Sequence, residues 1–108
     1  MAKAHLDAPS PAVTLKVVEE YQRDGHVCIR DLIDAETVLS YRPIIEEISE
    51  SCRYEKRPIE ERETYGKAFL QVHNVWQKSM VCKEIVFAKR FAHAASRLLG
   101  VESVRIYH

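Results

Sequence analysis

Leu98-Leu99-Gly100-Val101-Glu102-Ser103-Val104-Arg105-Ile106-Tyr107-His108 is the stretch whose reading decides the fold. A helix-like run closes on the glycine, and β-branched and aromatic residues then alternate in the manner of a β-strand. A strand needs neighbours for its backbone N–H and C=O groups. His26-Val27-Cys28-Ile29-Arg30-Asp31 reads the same way, with Val27 and Ile29 on one face. Two short strands are marginal in water. They must either pair with each other beneath the helices or join a larger sheet supplied elsewhere.

Upstream of this, residues 1–13 carry Pro9-Ser10-Pro11 and no regular period, which reads as a flexible lead-in. Thr14 is placed to cap a helix with Leu15, Val18 and Tyr21 on its apolar side, stopped by Gly25. Asp34 is placed to cap a second helix, with Val38, Tyr41, Ile45, Ile48 and Cys52 along one side. Pro43 should kink that helix or delay its start to about Arg42. The charge-dense run from Arg53 to Lys67, with Pro58 and Gly66, reads as a mobile loop whose sharper role would be a lid or an acidic-substrate contact. Ser79 can cap a further helical region that breaks near Phe87-Ala88-Lys89 and ends at Gly100.

Composition narrows the class. The 108 residues are 46% hydrophobic and 30% charged, ordinary for a folded domain. Sixteen basic and sixteen acidic residues cancel, so no global field draws in nucleic acid or an anionic membrane. No apolar run approaches the roughly 20 residues of a membrane span and no signal peptide is visible, so a cytoplasmic location is expected. Cys28, Cys52 and Cys82 are odd in number and widely spaced, which fits reduced thiols rather than a disulfide framework or a zinc site.

The run from Val18 to Ile33, then Phe69-x-Gln71-x-x-Asn74-x-Trp76, then Arg97-Leu98-Leu99-Gly100 with Val104-Arg105-Ile106-Tyr107-His108, resembles in order the N-terminal landmarks of the phytanoyl-CoA dioxygenase family. The resemblance implies an α+β fold: the N-terminal helices and first strands of a double-stranded β-helix, a jelly-roll or cupin-like oxygenase whose barrel core is missing. Residues 14–108 would be the N-terminal part of such a domain, truncated before the metal-binding core. It further implies Fe(II) and 2-oxoglutarate as cofactors of the intact enzyme, which would hydroxylate a small organic or acyl-CoA substrate. The isolated chain is expected to be inactive and to bind neither cofactor tightly.

A facial triad of two histidines and one carboxylate leaves iron positions open for 2-oxoglutarate and O₂. In the family its His-x-Asp pair lies shortly beyond the Tyr-His strand. No catalytic residue and no metal ligand is therefore assigned within this chain. The resemblance places Gln71 and Tyr107 at the cosubstrate, and Asn74, Trp76 and His108 as substrate-pocket candidates. An Asn-x-Trp segment also serves to staple a loop onto a core, so a structural role for Gln71, Asn74 and Trp76 stays open. His5-Leu6-Asp7 matches His-x-Asp literally, yet a loose lead-in cannot hold ligand vectors, so it is read as fortuitous. His26, His73 and His93 lack metal-ligand spacing and read as structural or surface residues. The rival expectation is a non-enzymatic helical interaction module that pairs through its C-terminal strand edge with a partner or with itself.

Overall fold

The computed structural model describes residues 5–107. Helix α1, Leu15–Asp24, begins where the Thr14 hydroxyl accepts the Val17 N–H. It ends at Gly25, whose φ of 77° few other residues tolerate, with the glycine N–H donating to Tyr21 O at 2.8 Å. Helix α2, Ala35–Cys52, starts under Asp34, whose carboxylate accepts Thr37 N–H at 2.8 Å. It runs as one element through Pro43, whose missing N–H leaves the carbonyl of exposed Leu39 without its usual helical donor. The charged run is not wholly loop: it contains a 3-10 turn, Ile59–Glu61, and much of a short helix α3, Thr64–Ala68. A second 3-10 turn, Val75–Gln77, leads to α4, Met80–Val86, capped by Ser79, and then to α5, Lys89–Leu99.

Helix α1 lies against α5, while α2 packs on α4 with the Val75–Gln77 turn wedged between them. The core is centred on Leu6, Tyr41 and Ala88, flanked by Ile33, Ile45, Val81, Ile85 and Phe91. Tyr41 reaches its edge and donates its hydroxyl to Glu84 Oε2 at 3.1 Å. Burial, then that carboxylate, raises the phenol above its ordinary pKa.

The α+β expectation is overturned. Among the described residues there is no strand and no sheet, and every regular element is helical. The stretch 26–31 is open chain with Val27 and Ile29 half-buried between exposed neighbours, so its two-residue period is real. It ends in Asp31 at φ 56°, a left-handed turn, and has no ladder to join. After Gly100 the chain first closes the end of α5, Val101 N–H donating to Ser96 O at 3.0 Å, and then runs on through residues 102–107 as irregular chain. Over residues 26–29 the alternation records which side chains are half-buried, and over 101–107 only Val104 is. It does not supply the neighbouring backbone that makes a strand.

The lead-in is corrected as well. Leu6 is 2% exposed and Val13 is buried, so residues 5–13 are part of the packed structure. Arg90, 6% exposed in the first turn of α5, holds them. Its Nε donates to Ala8 O at 2.9 Å, Nη2 to Pro9 O at 3.3 Å and Nη1 to Leu32 O at 3.1 Å. Arg97, two turns on, donates to Val13 O. A cation at a helix N-terminus opposes the helix dipole, so these carbonyls must hold it there.

What results is an open layer. The radius of gyration is 16.3 Å, against about 13 Å for a compact domain of this length. The accessible surface is 8259 Å², where a compact monomer of this size exposes about 6,200 Å². Replacing Arg90 strands three carbonyls on two segments, so Arg90→Met should lower the unfolding free energy in urea by about 3 kcal/mol. Arg90→Lys should recover only part of it, because an ammonium lacks the planar fork.

Candidate functional site: an apolar cleft beside the C-terminal segment

A cleft of about 710 Å³ lies between α5, the end of α4 and the segment Val104–Ile106. Its size falls within the roughly 300–1,000 Å³ of ligand sites, and its lining is mostly apolar. The register of α5 builds one wall: Phe91, Ala92, Ala95 and Leu99 recur at three- and four-residue spacing. Trp76 forms another wall, standing edge-to-face against Phe87 with ring centroids 5.1 Å apart. Lys83 Nζ lies 5.8 Å from the Phe87 ring centroid, and Arg105 also lines the cleft.

Of the sequence-predicted site residues, Trp76 lines this cleft and Gln71, Asn74 and Tyr107 do not. Gln71 is exposed and Tyr107 is 93% exposed. Asn74 is half-buried at φ 56°, opening the 3-10 turn that carries Trp76. Its Oδ1 and the Trp76 Nε1 are both buried without a hydrogen-bond partner. His108 lies outside the described residues. The structure thus joins Trp76 to the segment ending in Ile106 and leaves Gln71 and Tyr107 on open surface.

Iron does not fit the described residues. No group of three or more His, Cys, Asp or Glu side chains among them could hold a metal ion. In His5-Leu6-Asp7, the imidazole is engaged by Arg90 and Asp34 while Leu6 fills the core. No helix among the described residues is long and apolar enough to cross a membrane.

Sequence reasoning missed Arg90. A signal was present: Arg90, Ala94 and Arg97 occupy one α5 face at i, i+4 and i+7, where a buried face ordinarily carries apolar residues. In the charged run, Arg57 clamps Glu55 through Nε and Nη2 at 3.0 and 2.8 Å. That pair, with Arg57 N–H, holds the Glu55 carboxyl down at about 2. Its stabilisation is present above the ordinary glutamate range and is lost as pH falls toward 2. Arg57→Ala should return the Glu55 titration, followed by carboxyl NMR, toward the ordinary glutamate range.

Leu99 is exposed on the cleft wall and outside the core. Leu99→Lys should weaken binding of the apolar dye ANS and leave the far-UV circular dichroism unchanged; Trp76 is the chain's only tryptophan, so its emission reports occupancy of the cleft. Compared with protein-family models, curated proteins and solved structures, the chain matches none, so the resemblance stated above rests on its sequence landmarks alone.

Proposed function

We propose that this chain is the helical layer of an Fe(II)- and 2-oxoglutarate-dependent oxygenase resembling the phytanoyl-CoA dioxygenases, and that its cleft face packs against the catalytic core. The observation that carries this reading is the excess surface. The chain exposes roughly 2,000 Å² more than a compact monomer of its length, more than twice the roughly 800 Å² that each partner contributes to a standard protein–protein interface. Part of the exposed apolar surface adjoins the cleft: Phe87, Leu99 and Ile106 line it and Val101 lies between the last two in the chain, all four exposed. The order of landmarks along the chain supports the family assignment.

In this reading the iron ligands come from residues other than 5–107. The layer's own contribution is apolar support, with Trp76 as a wall and Gln71 as a polar contact for the 2-oxoglutarate carboxylate. Iron and 2-oxoglutarate supply oxidative hydroxylation of a C–H bond when bound. A cytoplasmic setting completes the proposal.

A second reading, favoured by the same exposed cleft, is a non-enzymatic module that docks a partner or a second copy along its C-terminal extended segment. The coding sequence beyond codon 108 separates the two. An in-frame His-x-Asp, then a distal His, supports the oxygenase, whereas a stop codon overturns it. The polypeptide carrying those ligands should form succinate from 2-oxoglutarate with Fe(II), and Gln71→Ala should raise its KM for 2-oxoglutarate about tenfold with little change in kcat.

A further inference from the structure

The geometry points to a binding site for a flat aromatic carboxylate in the cleft beside α5, with Arg105 as the counter-charge for its head. The register of α5 makes the concavity. Phe91, Ala95 and Leu99 stand at four-residue spacing in one row, so a small side chain lies between two large ones, and Ala92 is its neighbour three residues back. Two methyl side chains at those places leave a notch that the larger residues bound. Three of the residues lining the cleft, Trp76, Phe87 and Phe91, are aromatic. A rigid fused ring suits such walls, because it meets ring faces and edges favourably and has no rotamers to lose on entry.

Charge decides the head of the ligand. Among the lining residues only Arg105 is charged. It is exposed, and none of the ion pairs among the described residues engages it. Its planar fork of N–H donors fits the two oxygens of a carboxylate. Lys83 Nζ, 5.8 Å from the Phe87 ring centroid, adds positive charge on the α4 side. Glu84 accepts the Tyr41 hydroxyl, and neither it nor Glu102 lines the cleft. An anion is therefore attracted there without an opposing carboxylate. A neutral ring gains burial alone, and an ammonium meets like charge.

The site does not rest on the oxygenase reading. With a catalytic core packed over this face the ligand would lie at the junction of the two, a common place for small-molecule sites. The coding sequence beyond codon 108 tests that reading, and ligand titration of the chain tests this one.

Titration of the 108-residue chain with 2-naphthoate, followed by proton–nitrogen-15 NMR, reads the cleft directly, because its one tryptophan, Trp76, gives the single indole N–H signal. At about pH 7.5 the carboxylate is ionised. The shifts of that signal and of the α5 amides should saturate with a Kd of about 1 mM or tighter. The uncharged near-isostere 2-acetylnaphthalene should bind about threefold to fivefold more weakly, and 2-naphthylmethylammonium more weakly still. Arg105→Gln changes an exposed residue in open chain, so the far-UV circular dichroism should be unchanged and the affinities for all these ligands should come within about twofold of one another. Ala92→Phe fills the notch from an exposed helix position and should abolish saturable binding of each. Shifts that never saturate, an anion bound no better than the neutral ring, or a preference that survives in Arg105→Gln would each overturn the site. So would shifts that follow protein concentration in place of ligand concentration, the mark of a second copy filling the cleft.

Discussion

Arg90 is the constraint on which the rest of the arrangement depends. A guanidinium that is almost wholly buried has lost its water and must find acceptors, and it finds them on Ala8, Pro9 and Leu32. Those carbonyls belong to two segments with little regular structure. Their position is therefore set by the cation rather than by helix geometry. Once they are drawn in, Leu6 reaches Tyr41 and Ala88, Val13 becomes buried, and Asp34 is set beside His5 at the start of α2. One side chain thus couples the N-terminal segment, the approach to α2 and the helix that walls the cleft.

The layer built around that tie remains open on its other side. Its buried apolar residues are few, and three of the six are small: Ala88, Ala94 and Cys82 alongside Leu6, Val13 and Tyr41. Phe69, Met80, Leu99 and Ile106 stay exposed. A helix pair of this kind buries one face against its neighbour and leaves the other for something else to cover. The cleft between α5 and Val104–Ile106 is where that uncovered face is concave.

Helix boundaries were legible because caps are local. Thr14, Asp34 and Ser79 each accept the N–H three residues on, and Gly25 and Gly100 take left-handed φ values at the ends of α1 and α5. Strand pairing was not, since a two-residue period records side-chain facing and says nothing of whether another backbone lies alongside. The cleft was half-legible: Trp76 is in it, while Gln71 and Tyr107, placed at the site by resemblance, stand on open surface. The proline content that made residues 5–13 look loose hid an acceptor-rich segment made for a buried donor.

By itself, the sequence determined where α1, α2 and α4 start and where α1 and α5 stop, because those choices are settled within a few residues by hydrogen-bond caps. Tertiary structure alone decided that residues 26–31 and 101–107 are open chain, that Arg90 is buried and that His5 faces it. Each of those depends on groups far apart in the chain, more than eighty residues for Arg90 and Ala8. Their meeting is governed by desolvation and by donor–acceptor matching in three dimensions, which no local pattern encodes.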